Sequence, residues 1–140
     1  MDTVRLCYEN AASKKMYAEK LKTLTASNSS DALIMAYHGA SFAFLAKHHW
    51  NPYSKYSLVQ DGLVYLNKAA SAAPNDVEVR FVRFSIEENL PLIISFTSHV
   101  ESDKNFVISN LNISHPYYAT IRAYMLNSSN VSEDDKKKIR

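Results

Sequence analysis

Residues 31–46 of this protein read DALIMAYHGASFAFLA. The stretch is apolar nearly all round, follows a Ser30 or Asp31 cap, and carries small residues at steps of three or four. Small side chains along one stripe let the axis of a neighbouring helix approach closely. We therefore expect a central helix over about residues 31–48, with a contact stripe formed by Ala32, Ala36, Gly39, Ala40, Ala43 and Ala46.

The next helix is predicted to run from about residue 51 to residue 73. Asn51 is a suitable N-cap, and Pro52 stands at the first helical position, where its missing N–H costs nothing. The following apolar residues alternate between steps of four and three, which is typical of one helix face: Val59, Leu63, Leu66, Ala70 and Ala73. We expect this helix and the central helix to form the best-defined antiparallel hairpin.

The composition extends the helical prediction to the whole chain. Only two of the 140 residues are glycine, which is too few for a protein of strands and tight turns. Breaks rich in Asn, Ser and Pro divide the sequence into helix-sized segments. Besides the two above, helices are predicted at residues 3–26, with a bend near Asn10, and from residue 75 to about residue 90. Others are predicted to start at a capping box at 98–101 and at 114–116, and residues 131–140 are predicted as a frayed or truncated terminal helix. Residues 92–96 are interpreted as a short helical turn.

The sequence thus predicts a single all-α domain spanning residues 1–140, with six to seven helices in antiparallel helical hairpins. A net charge of +2 without a polycationic half argues against a nucleic-acid partner. No apolar run approaches the ~18 residues of a membrane span. The start, MDTVR, lacks the features of a secretory signal, so a cytoplasmic location is expected, with a periplasmic or secreted one if a signal peptide has been removed.

Catalytic motifs are missing from the sequence. It contains no glycine-rich phosphate loop, no His-Glu-x-x-His, no Gly-x-Ser-x-Gly and no paired cysteines. The lone Cys7 is interpreted as a small buried apolar residue, and the Glu87-Glu88 pair as solvated. No catalytic residue, metal ligand or cofactor is therefore predicted.

Residues 62–76, GLVYLNKAASAAPND, resemble the second helix and exit turn of a tetratricopeptide repeat. Gly62 stands at the small position of that motif, Leu66 at its large apolar position, Ala69 at its packing alanine and Pro74 at its terminal proline. Gly39 and Phe42 have the same relative positions as the glycine and the aromatic residue of the motif. The spacing implies an inserted segment around residues 47–55, because Gly39 and Pro74 lie 35 residues apart where the motif has about 24.

Two further stretches, residues 46–55 and 80–91, resemble a group of uncharacterised bacterial helical proteins with the same repeat-like centre. After Pro74 the repeat pattern decays, since Arg80, Arg83 and Phe84 replace its aromatic residue, leucine and glycine. The resemblance implies a tetratricopeptide-like superhelix with an irregular, inserted repeat. It implies no particular activity.

By analogy with such folds, the leading hypothesis is a non-catalytic module that binds a protein or peptide partner in a helix-lined groove. The candidate binding residues are Tyr37, Phe44, Trp50, Tyr53, Arg80 and Arg83. Structural roles are the alternative for each: Trp50 and Tyr53 as plugs between helices, Arg80 and Arg83 as partners in ion pairs. The alternative function is a small helical enzyme or ligand-binding protein with a site assembled from His38, His49 and Arg83.

Overall fold

The protein folds into successive helices joined by short connections. The computed structural model describes residues 1–27, 30–91 and 98–140. Their helices are α1 (Asp2–Ala11), α2 (Lys15–Thr25), α3 (Ala32–Lys47), α4 (Pro52–Ala72), α5 (Val77–Glu87), α6 (Val100–Asn110), α7 (Tyr118–Asn127) and α8 (Glu133–Lys137). These ranges contain no strand, which confirms the all-α prediction. The helical turn expected at 92–96 lies outside the described residues.

The most intimate packing joins α3 to α4. A Cβ atom added to Gly39 would lie 2.7 Å from the carbonyl oxygen of Gly62, and one added to Gly62 would lie 2.7 Å from the carbonyl oxygen of Gly39. The backbones thus touch where neither residue has a side chain. Along the same seam the rings of Phe42 and Tyr65 stack with centres 5.5 Å apart. The hairpin expected from the small-residue stripe is confirmed.

Three helix starts follow their sequence signals. Asp31 accepts from the backbone N–H of Leu33 at 2.9 Å, and Asn51 accepts from that of Tyr53 at 2.9 Å. Asp76 does the same for Glu78 at 2.9 Å. Each carboxylate or amide oxygen satisfies a donor that the first turn leaves unpaired.

The start of α6 differs from the expected capping box. Here the carboxylate of Glu87, from α5, accepts from the backbone N–H of His99 at 2.6 Å and lies 2.9 Å from its ring Nδ1. Glu87 is almost completely buried, so the prediction that it is solvated is wrong. Locally, the hydroxyl of Ser98 accepts from the backbone N–H of Val100 at 3.1 Å. The bond to Glu87 comes from another helix, and no local sequence pattern can indicate that.

The single helix predicted over residues 3–26 is also wrong, because two helices occupy this range. α1 ends at Ala11 and α2 begins at Lys15, with Lys14 in an extended conformation. The backbone N–H of Lys14 and the hydroxyl of Ser13 both donate to the carbonyl oxygen of Asn10, at 3.0 and 3.2 Å. The break lets both short helices pack on α3.

The C-terminal segment is docked rather than frayed. Val131 and Ile139 are buried on either side of α8. The ammonium of Lys104 donates to Asp135 at 2.9 Å, and Arg122 donates to the carbonyl oxygen of Ile139 at 2.7 Å. These contacts hold a five-residue helix that would be unstable alone.

The core centres on α5. Most of this helix is buried, including Phe81 and Phe84, and it packs against α3, α4 and α6. Leu66 and Ala69 of α4 are fully buried beside it, as their spacing indicated. Among the described residues, no helix is long and apolar enough to cross a membrane.

Gly39→Ala tests the close crossing of α3 and α4. Alanine normally stabilises a helix interior by about 0.5–1 kcal/mol over glycine. Here the added methyl group must push the helices apart, and overpacking of this kind costs about 1–3 kcal/mol. We expect a net loss of about 1–2 kcal/mol in the free energy of unfolding, measured by urea denaturation. Ser71→Ala, at an exposed position of α4, is the control and should change stability by less than about 0.5 kcal/mol. A stabilised Gly39→Ala protein would refute the packing argument.

Candidate binding cleft

A cleft opens between α1, α3, α4, α5 and α7. Its first part, here called the apolar section, is a cavity of about 590 Å³. Its walls come from aromatic and aliphatic side chains on different helices. They include Tyr8, Phe44, Val59, Phe81 and Ile86.

Edge-to-face contacts hold these aromatic walls in place. Tyr8 lies edge-on to Phe44 and Phe81, with ring centres 5.7 and 6.3 Å apart. Phe81 lies edge-on to Tyr124 at 5.2 Å. Each such pair of rings stabilises the fold by more than the burial of its apolar surface alone. The apolar section is therefore shaped by rings with few alternative positions.

Two lysines border the apolar section. Lys47 is the last residue of α3, and Lys55 lies in the first turn of α4. The tight hairpin brings both to the same rim. Within the part of the chain that the structure describes, neither lysine makes an ion pair.

The cleft continues into a second cavity of about 700 Å³, here called the polar section. Glu9, Asn89, Thr120 and Tyr124 line both sections and mark their junction. The residues that line only this section bring carboxylate, amide and hydroxyl groups together with two alanines. They are Glu88, Ala119, Ala123, Asn127, Ser128, Ser129 and Asn130.

Glu88 is the best-held side chain of the polar section. One carboxylate oxygen accepts from the hydroxyl of Ser128 at 2.6 Å and from the amide of Asn130 at 3.1 Å. The other accepts from the hydroxyl of Tyr124. Burial above all, and then the carboxylate of Glu88, raise the pKa of Tyr124 far above its usual range, so this hydroxyl stays a donor. Glu88 is held by neutral donors and was wrongly expected to be simply solvated.

Two exposed aromatic residues lie close to the connection between α3 and α4. Trp50 is in that connection and Tyr53 is in the first turn of α4, and each is 86% exposed. Such exposure rules out the alternative that they plug the gap between helices. The cleft residues Lys47 and Lys55 flank them in sequence, neither of the two lines the cleft itself, and we call them the aromatic lip.

Of the other residues proposed for binding, Phe44 lines the cleft and Tyr37 does not. Tyr37 is fully buried and donates to the carboxylate of Glu78 at 2.7 Å, so it does not face a groove. Phe44 is half-buried in the wall of the apolar section.

Arg80 and Arg83 bind one carboxylate inside the protein. Arg83 donates to the two oxygens of Asp103 at 2.8 and 2.9 Å, and Arg80 donates to one of them at 2.5 Å. Asp103 is fully buried, and the guanidinium of Arg80 lies 4.5 Å from the centre of the Phe106 ring. These arginines join α5 to α6, so the structure favours the ion-pair alternative over capture of a partner's carboxylate.

The residues of the alternative enzyme site have separate partners. His38 Nδ1 lies 2.9 Å from the hydroxyl of Thr25, and its ring is edge-to-face with the stacked rings of Phe42 and Tyr65. His49 is exposed, and Arg83 is held by Asp103. A search of the described residues for groups of three or more possible metal ligands finds none.

Sequence reasoning missed the acidic members of the cleft. Glu9 and Glu88 lie on different helices, 79 residues apart, and nothing in their neighbourhoods distinguishes them from ordinary surface carboxylates. Only the docking of α7 beside α1 and α5 brings them to one cavity. The two cleft lysines did have a signal in the sequence, because both lie at the ends of the inserted segment predicted around residues 47–55.

No protein-family model, curated protein or solved structure matches the chain. The interpretation of the cleft therefore depends on its own geometry.

Asp103→Asn tests whether the two arginines have a structural role. Losing this carboxylate leaves two guanidinium groups without their buried counter-charge, which costs about 3–5 kcal/mol of stability. Glu101→Gln on the same helix removes a largely exposed partner of Lys104 and should cost less than about 1 kcal/mol. Chemical denaturation of both variants measures the difference. Equal, small losses would show that the arginines do not depend on Asp103.

His38 should make stability depend on pH. Burial, and next the charge of Lys22, lower the pKa of His38 below its ordinary value. At pH values between the lowered pKa of His38 in the folded protein and its ordinary pKa in the unfolded chain, the unfolded chain binds more protons. The free energy of unfolding therefore falls as the pH drops through about 6.5. The free energy of unfolding of His38→Gln should fall less between pH 7.5 and pH 5 than that of the wild type. Parallel curves for the two proteins would contradict the assignment.

Proposed function

We propose that this protein is a non-catalytic interaction module that binds a segment of a partner protein or peptide in its cleft. The observation that carries the proposal is the adjacency of the two cavities, which share four lining residues, Glu9, Asn89, Thr120 and Tyr124. A ligand that fills both must be extended. A peptide segment has that character.

The size of the cleft agrees with this use. Ligand-binding pockets span about 300–1,000 Å³, and each section falls within that range. Each can therefore take one or two amino-acid side chains. Contributions from several helices give a long surface rather than a closed chamber.

The resemblance to tetratricopeptide repeats supports the same proposal. Helical hairpins stacked in that manner form concave surfaces that bind extended partners. The hairpin of α3 and α4 provides one wall of the cleft, and α5 provides part of its floor. We propose that the tetratricopeptide-like arrangement is used here in the same way.

The aromatic lip supplies a second element of recognition. Tryptophan and tyrosine are enriched among the residues that contribute most to protein interfaces. Trp50 and Tyr53 expose large apolar surfaces to water, and in sequence they lie between the cleft residues Lys47 and Lys55. We propose that a partner bound in the apolar section extends over them.

A displayed library of random peptides, selected on the whole protein, tests this function. Trp50 is the only tryptophan, so its fluorescence reports directly on the lip. We expect selected peptides to shift its emission to shorter wavelength as the ring leaves water. Titration of this signal gives the dissociation constant.

A blocked variant shows whether binding uses the cleft. Thr120→Phe places a ring at the junction of the two sections and removes only a 3.4 Å hydrogen bond to Glu9. It should weaken selected peptides about tenfold or more, which corresponds to about 1.4 kcal/mol. Thr23→Phe, on the exposed face of α2, is the matched control and should bind like the wild type. Failure to select any peptide, or equal binding to all three proteins, would refute the proposal.

A further inference from the structure

The charged residues of the cleft are half-buried or exposed, and they differ from the fully buried charges of the protein in having no ion-pair partner among the described residues. Elsewhere the buried charged side chains have partners: Glu78 pairs with Arg5 at 2.6 Å, Arg83 with Asp103, Glu87 with His99, and Lys104 with Asp135. The four charged residues of the cleft make no ion pair with any residue that the structure describes. They are Glu9, Lys47, Lys55 and Glu88.

These unpaired charges are sorted by sign. Lys47 and Lys55 line the apolar section alone, whereas Glu88 lines the polar section alone. Glu9 lies at the junction. Both cations therefore border the apolar section only, one carboxylate borders the polar section only, and the second carboxylate borders both.

We propose that the cleft selects a peptide segment with an acidic side chain at one end, an apolar side chain in the middle and a basic side chain at the other. The acidic group lies beside Lys47 and Lys55, the apolar group among Phe44, Val59 and Ile86, and the basic group beside Glu88 and Glu9. This inference rests on the proposed peptide-binding function and specifies its partner.

The geometry of Glu88 gives the basic end its selectivity. Three neutral donors fix the carboxylate without cancelling its charge. A partner's ammonium or guanidinium would meet an acceptor that is already oriented, so little side-chain freedom is lost on binding. Glu9, across the junction, adds a second negative charge at the same end.

Segments that carry the same charge at both ends are disfavoured, because one end then meets like charges in the cleft. A segment with acidic groups at both ends would bring one carboxylate against Glu88 and Glu9. Like charges placed together across an interface suppress the wrong partner, while complementary ones speed the encounter. The lysines reject a doubly basic segment by the same rule. A mixed-charge segment alone satisfies both ends.

The test repeats the peptide selection on charge-reversed proteins. In Lys47→Glu/Lys55→Glu every charge of the cleft is negative, and the substitutions break no ion pair among the described residues. Lys20→Glu/Lys68→Glu is the matched control, since both of its sites are exposed, lie outside the cleft and change the net charge equally. Circular dichroism checks that each protein is folded.

Wild type and control should enrich peptides with one acidic and one basic residue flanking an apolar one. Lys47→Glu/Lys55→Glu should enrich peptides with basic residues at both ends and bind the wild-type peptides about tenfold or more weakly. Should that variant fail to fold, Glu9→Lys provides a second test, because this exposed residue makes only one weak hydrogen bond. It should reduce the enrichment of basic residues.

The outcomes separate this inference from the proposed function. Peptides that lose affinity with Thr120→Phe but show no charge pattern would overturn the charge selectivity and leave the binding function standing. Peptides with the same charge pattern on the wild type and on the reversed variant would also overturn it. A selection that gives no cleft-dependent peptide would refute both.

Discussion

The contact between Gly39 and Gly62 is the constraint on which the rest of the structure depends. The two backbones meet there without side chains between them, so α3 and α4 lie closer than ordinary residues permit. This closeness fixes the hairpin, and the hairpin fixes the loop at its end. Lys47 and Lys55 share a rim of the cleft because that loop is short. Larger residues at the crossing would move the lysines relative to the rings of the apolar section.

Buried ion pairs then attach α1 and α6 to α5. Glu78, on α5, accepts from Arg5 of α1 at 2.6 Å and from Tyr37 of α3 at 2.7 Å. Asp103 of α6 holds both arginines of α5. Such networks are costly to break once formed, and they set orientation more than net stability. These buried charges are used within the fold, whereas the charges of the cleft are half-buried or exposed and make no ion pair among the described residues.

Local patterns were sufficient to predict the elements that local forces determine. The caps at Asp31, Asn51 and Asp76, the alternating apolar steps of α4 and the small-residue stripe of α3 all depend on neighbours within a few residues. The failures share the opposite property. The break before α2 serves packing on α3, and the arginines of α5 find a carboxylate 20 residues or more away on α6. Glu88 became part of a cleft only through α7. Spacing within one helix carries no information on which distant helix will cover it.

The central claim is that the protein binds its partner through the cleft. The most direct test is to map the changes in amide chemical shifts caused by a peptide that was selected only for binding to the whole protein. The account predicts that the largest shifts fall on Lys47, Val59, Asn89 and Thr120, which four different helices and their ends bring to the cleft. Largest shifts on α2 or α6, neither of which contributes to the lining of the cleft, would contradict it.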